Sequence, residues 1–195
     1  MKQLDNTVEK FQRIILTELN ARLIKVWVAG GAVRDHFMGV PAKTDIDLFF
    51  PKEDDYEHTK AYFIDREAEV KWESENGMKV EYEGFTFDLV KHFFPDPQAT
   101  IEAFDFTVSM FAVDSRKVYH GESSFIDLAK RQLMINKITY PASTMRRAFR
   151  YYTKGFRMCS DEMKKLAEAL MRHNPEPIAT EEENESSGKF FRGID

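Results

Sequence analysis

A single cysteine, Cys159, occurs in the chain, which excludes an internal disulfide and a cysteine-built zinc site. Nothing around it suggests an activated nucleophile, and the thiol reads as a buried structural one. The five histidines, His36, His58, His92, His120 and His173, are scattered and nowhere take metal-ligand spacing. No apolar run approaches the roughly 18 residues of a membrane span, and no signal peptide precedes the first helical pattern. The chain is therefore expected to be cytoplasmic, with no membrane partner. Internal repeats are absent. A positive excess is missing as well: 28 Lys and Arg stand against 33 Asp and Glu, for a formal net charge of −5.

What is there is one compact catalytic-sized unit. A chain of 195 residues with 43% apolar content suffices for one domain, or one domain with a small appendage. Its charge is segregated. Residues 53–83 are acidic, whereas 130–173 carry eleven Lys and Arg against Asp161, Glu162 and Glu168. Such a field suits a polyanion, and it equally suits a solvated helix face. After Asn174 the chain turns acidic again, with Glu181, Glu182, Glu183 and Glu185 before Ser186-Ser187-Gly188, and reads as disordered.

Periodicity orders the rest. Leu4, Val8, Phe11, Ile15 and Leu19 recur at helical spacing and predict an amphipathic helix ending near Leu23. A strand over 24–29, a glycine turn, a short helix over 32–38 and a strand over 44–50 follow. A helix near 56–64 precedes a hairpin, 70–72 with 78–82, around the Asn76-Gly77 turn signal. Strand 85–90, a short helix after Pro95 and Pro97, strand 107–113 and a helical C-terminal third complete the pattern.

Residues 30–50 concentrate the chemistry. Gly30 and Gly31 lie between a β-rich run, 24–28, and a helical run, and Gly39 is placed to end that helix. Glycine lets backbone approach a ligand, and amides at a helix start favour anions. About a dozen residues on come Asp45 and Asp47. On a strand this spacing puts both carboxylates on one face, with Ile46 turned into the core. Paired hard oxygen ligands suit Mg2+, and two such ions about 3.5–4 Å apart can hold the attacking and leaving oxygens of a phosphoryl transfer. Each half alone is commonly a plain turn or a solvated strand edge; their order and joint occurrence carry the reading. Asp88, within the otherwise apolar or β-rich run 85–90, is a third carboxylate. It is a candidate for proton acceptor from the attacking hydroxyl or for metal ligand, or else a strand acid at a partly exposed position.

The stretch from Gly30 to Asp47, with Arg34 one helical turn beyond the glycines, resembles the first signature of the polymerase-β-type nucleotidyltransferases, specifically the head of the tRNA CCA-adding and bacterial poly(A) polymerase family. Three later segments resemble that family in order: Asp105 to Ala112, Gly121 with Asp127-Leu128, and Met145 to Tyr151. The likeness runs from about Ile24 to Phe156. Ala103, Phe104 and Ser109 depart from it, standing where the family has two arginines and an asparagine. The family also carries a long helical neck, body and tail beyond the head, most of which is expected to be absent from these 195 residues.

The resemblance implies an α/β (α+β) fold: a polymerase-β-like head with a small mixed sheet flanked by helices, over 1–140, then a short helical neck over 141–173 and the acidic tail 174–195. It implies a nucleoside triphosphate, ATP or CTP, as substrate, bound through Gly30, Gly31, Arg34, Asp105, Arg147 and Arg150. Arg147 and Arg150 lie three apart on one helix face and match the family's nucleotide-contacting arginines. Asp45, Asp47 and Asp88 would be the catalytic and Mg2+-binding residues of a two-metal site. The expected reaction transfers a nucleotidyl group to an RNA 3′ end, most plausibly that of tRNA held by 130–173, and releases pyrophosphate. Two other classes stay open: a minimal nucleotidyltransferase that modifies a protein or a specific tRNA as toxin or regulator, and a non-catalytic nucleotide- or RNA-binding module.

Overall fold

The computed structural model describes residues 2–40 and 45–172. The tail expected over 174–195, His173 at the end of the neck, and Thr44 at the expected start of a strand lie outside the described residues.

The chain begins with α1 (Lys2–Phe11), passes through a π turn (Gln12–Leu16) and continues as α2 (Thr17–Ala21). The π turn shifts the helical phase, and Ile15 and Leu16 are both buried beside Phe11 and Leu19. Next come β1 (Trp27–Ala29), α3 (Gly31–Phe37), β2 (Ile46–Phe49) and α4 (Glu53–Ile64). The hairpin is β3 (Glu69–Ser74) and β4 (Gly77–Tyr82), closed by Glu75-Asn76 one residue earlier than the Asn-Gly signal suggests. Gly77 begins β4 instead, where a Cβ would run into the Leu89 carbonyl oxygen.

Strand β5 (Phe85–Val90) leads to α5 (Pro97–Glu102), whose Asp96 cap accepts the Ala99 N–H at 2.8 Å. The strand expected over 107–113 is divided. Thr107–Ser109 make a 3-10 turn, which brings the Ser109 hydroxyl to Tyr151, and only Phe111–Val113 form β6. An edge strand that the sequence pattern did not suggest, β7 (Val118–His120), precedes α6 (Ser124–Lys130), α7 (Pro141–Thr153) and α8 (Ser160–Arg172). Cys159, expected to be buried, is exposed just ahead of α8.

Among the described residues the strands form one seven-stranded mixed sheet in the order β3-β4-β5-β2-β1-β6-β7, flanked by helices as expected. β2 and β5 run parallel; the other neighbours are antiparallel. Side chains alternate between the faces. Val28, Leu48, Phe87, Leu89, Val80 and Val113 point to one face and join the main core with Phe11, Leu19, Val33 and Phe63 from the helices. Each fully buried side chain of this size contributes about 1.5–3 kcal/mol of transfer free energy. Trp27, Ala29, Phe49, Val90 and Ala112 point to the other face and pack with Ile101, Phe104 and Met110 in a smaller cluster. The charged residues of the central strands lie on that second face.

Candidate active site

Strand register assembles the site. Ala29 pairs with Asp47, Asp47 with Asp88, and Asp88 with Lys79. Directly opposed residues share a face. Asp47, Asp88 and Lys79 therefore form a row across β2, β5 and β4, with Ala29 keeping the β1 side small. Asp45 stands one residue ahead of β2 and on the same side, because Lys79 Nζ reaches both Asp45 Oδ2 and, at 3.1 Å, Asp88 Oδ2. This cluster thus brings together three carboxylates, Asp45, Asp47 and Asp88, and the Lys79 ammonium.

Burial sets their electrostatics. Asp47 and Asp88 are only 1% and 5% exposed. Desolvation pushes the Asp88 carboxyl up to about 6, Lys79 opposing and Asp45 adding to the rise. Lys79 feels its own burial as a downward pull, but its bonds to Asp45 and Asp88 outweigh it and hold the ammonium above its ordinary value.

Behind the row, Gly30 turns the chain from β1 into α3 with φ +81° and ψ −131°, a conformation open essentially to glycine alone. Its N–H is committed to the Phe111 carbonyl at 2.8 Å, so its part in the turn is conformational. Gly31 is buried as the first residue of α3. Arg34, expected over a triphosphate, is fully buried instead. Its Nε donates to Asp35 Oδ1 at 2.8 Å and its Nη1 to the Tyr151 hydroxyl at 2.7 Å. The Tyr151 hydroxyl also bonds Ser109. One buried network therefore joins α3, α7 and the 3-10 turn, and Ser109 has a defined place in it.

A second pairing ties α7 to the segment after α5. Asp105 Oδ2 accepts from Thr144 Oγ1 at 2.9 Å and from Arg147 Nη1. Both charged side chains are 10% exposed, and they border a cavity of about 440 Å3. Its apolar walls include Phe49, Val90, Phe94, Phe104 and Phe106. Phe49 and Val90 each lie two residues beyond Asp47 and Asp88 on the same strand face, so the cavity and the carboxylate row share that face of the sheet. Phe104 and Ala103, the departures from the arginine pair, help to line it. Arg150, one turn beyond Arg147 on α7, is half-buried and does not line this cavity.

The donor set suits a hard divalent cation in its chemistry, since it offers oxygen only and Asp88 Oδ1 is buried without a hydrogen-bond partner. Among the described residues, no three His, Cys, Asp or Glu side chains converge as a ready-made ion site. Lys79 Nζ instead lies between Asp45 and Asp88.

Comparison with known proteins defines the lineage. The family model of the Gabija anti-defense 2 family (Gad2) matches residues 2–131, about two thirds of the chain. The chain belongs to that family. The matched span contains the glycine turn, all three carboxylates, Lys79 and Asp105, and it ends ahead of α7 with Arg147 and Arg150. No curated protein matches the chain.

Solved structures share the fold of this family member at low identity. A CCA-adding enzyme in complex with CTP superposes with a TM-score of 0.66 at 17% identity, over 86% of this chain and 46% of that one. The Thermotoga maritima CCA-adding enzyme complexed with tRNA gives 0.64 at 17%, over 86% and 45%. A tRNA nucleotidyltransferase complexed with a primer tRNA and an incoming ATP analog gives 0.60 at 16%, over 84% and 49%. The chain spans about half the length of these proteins. The fold is that of a polymerase-β-like nucleotidyltransferase head, in keeping with the resemblance of the motifs.

The basic segment looks different once folded. Arg147 is paired with Asp105, Lys165 with Glu162, and Lys164 and Arg172 with Glu168. Part of the positive excess is therefore spent within the fold. Sequence reasoning passed over Lys79, Arg34 as a buried group, and the aromatic cavity. Lys79 did carry a signal: it is a lysine between Met78 and Val80, both fully buried, in the strand that hairpin pairing sets beside Asp88. No helix among the described residues is long and apolar enough to cross a membrane.

Proposed function

We propose that this member of the Gabija anti-defense 2 family is a metal-dependent nucleotidyltransferase. One observation carries the reading: strand register puts Asp47 beside Asp88, with Asp45 adjacent, two residues along their strands from Phe49 and Val90, which line an aromatic cavity of about 440 Å3. The base would lie among Phe49, Phe94 and Phe104, with Asp105 and Arg147 at its polar edge. Asp45 and Asp47 would hold a divalent cation, Mg2+ in the cell, which when bound supplies charge neutralisation at the triphosphate. Asp88, with its raised carboxyl, accepts the proton of the acceptor hydroxyl. The hydroxyl oxygen bonds to the α-phosphorus as the bond from that phosphorus to the bridging oxygen breaks, and pyrophosphate leaves. Arg34 and Gly30 act here as positioning residues, fixing the α3 turn behind the site. The division into head (1–140) and neck (141–173) belongs to the same reading, with α7 closing the cavity.

The acceptor favoured by the likeness to tRNA-bound enzymes is an RNA 3′ end, tRNA foremost, met by the remaining cations of 130–173. A second reading has its own support in the family description, which names an anti-defense role: the nucleotidyl group goes to a protein or a particular RNA as a regulatory modification. The test is incubation of the purified protein with each α-labelled triphosphate, with total RNA and with total protein. Label entering RNA supports the first acceptor and label entering protein the second. Absence of transfer to both, with every triphosphate and with Mg2+ or Mn2+, overturns the enzymatic reading in favour of a binding module.

A further inference from the structure

Lys79 has no part in the chemistry described above, yet from the β4 end of the charged row its ammonium reaches two of the three carboxylates. Its Nζ bonds Asp45 and lies 3.1 Å from Asp88 Oδ2, and its side chain is only 18% exposed. Cross-strand register fixes the contact, because Lys79 lies directly opposite Asp88, and Gly77, which admits no side chain, anchors the start of the same strand. A lysine held by two carboxylates in a half-closed site is a stable neutralising charge, not a transient surface pair. Three carboxylates and one ammonium leave a formal charge of −2, which one divalent ion balances; a second would leave the site positive before any triphosphate arrived.

We infer that Lys79 is the resident cation of this site, filling the place between Asp45 and Asp88 that a second divalent ion would take, so that without nucleotide the protein binds no more than one divalent ion. The inference rests on the metal reading of Asp45 and Asp47. Lys79 keeps Asp88 oriented along the row and competes with metal for the same oxygens. Any ion that bound there would first displace the ammonium, which is tethered in place by the strand pairing.

Mn2+ titration of the nucleotide-free protein, with free Mn2+ counted by electron paramagnetic resonance, reads this directly. Wild type should bind at most one ion. Lys79→Met, which keeps the length and removes the charge, should gain a second ion or bind about 10–100-fold more tightly, the scale by which groups around metal ligands shift metal affinity. Lys79→Arg should behave as wild type, and Lys79→Met combined with Asp88→Asn should lose the gain. Circular dichroism checks that each variant folds, with Lys79→Gln standing in should the methionine variant not fold. Equal number and affinity of Mn2+ in wild type and in the neutral variant overturns the role of Lys79 and leaves the metal reading intact. So does a gain that survives Asp88→Asn. No Mn2+ binding in either protein overturns both readings.

Discussion

The two faces of the sheet are made from the same strands and do opposite work. On one, Val28, Leu48, Phe87 and Val80 form a continuous apolar surface under the helices. On the other, their immediate neighbours Asp47, Asp88 and Lys79 line up as charges beside a cavity. Each polar residue is held by backbone whose register is enforced from behind, since a one-residue slip would bring Phe87 to the open face and Asp88 into the core. The difference teaches that precision on the second face is a property of packing on the first.

Breaking each face separately should give opposite signatures. Phe87→Ala should cost about 3–5 kcal/mol of stability and lower the thermal midpoint sharply. Asp47→Ala should leave the midpoint near wild type and reduce nucleotidyl transfer by about 100-fold or more, as loss of a charge-stabilising group does elsewhere. Calorimetry with a turnover assay on both variants checks this; an Asp47→Ala enzyme within about tenfold of wild type at matched Mg2+ contradicts the role given to the open face.

Arg34→Ala should behave as a core variant despite its charge. Removing one partner of a buried pair costs about 3–5 kcal/mol, because Asp35 and the Tyr151 hydroxyl are left behind. Denaturant unfolding would detect it, and a variant of wild-type stability with weakened triphosphate binding would return Arg34 to the nucleotide. Arg147→Ala should instead be a site variant. Loss of a charge-assisted contact at the cavity edge should weaken triphosphate binding by about 1.5–3 kcal/mol, read by calorimetric titration with ATP and CTP. Unchanged affinity for both nucleotides contradicts it.

The smallest effect concerns pH. The Asp88 carboxyl rises from 3.8 when free to about 6 in the fold. A raised folded value contributes stability that is fully present below the unfolded value and lost as pH climbs through the folded one. Above about pH 6 the open face carries a buried carboxylate at a cost. Asp88→Asn removes that cost, so its gain in thermal midpoint should be larger near pH 8 than near pH 5. A gain that is equal or larger at the acid end contradicts the assignment.

These contrasts also explain what could be read from sequence. Local alternation in Asp45-Ile46-Asp47 and in Phe87-Asp88-Leu89 was enough to set acids against core residues, and the glycine turn, the hairpin and most helices followed from equally short patterns. The pairing of Asp47 with Asp88 joins strands some forty residues apart, and the position of Lys79 depends on a third. The burial of Arg34 depends on Tyr151, which is 117 residues away. The 3-10 turn at Thr107–Ser109 and the edge strand β7 are likewise decided by neighbours distant in sequence. Spacing shows which residues share a face; only the fold shows which faces meet.

Transfer of label from α-labelled ATP and CTP by wild type and Asp47→Ala, in parallel on RNA and on protein, tests the central claim most directly. The account predicts pyrophosphate release and labelled acceptor with wild type, both lost in a variant that keeps its thermal midpoint. Label transfer by Asp47→Ala at the wild-type rate, or no transfer by wild type to either acceptor, would contradict it.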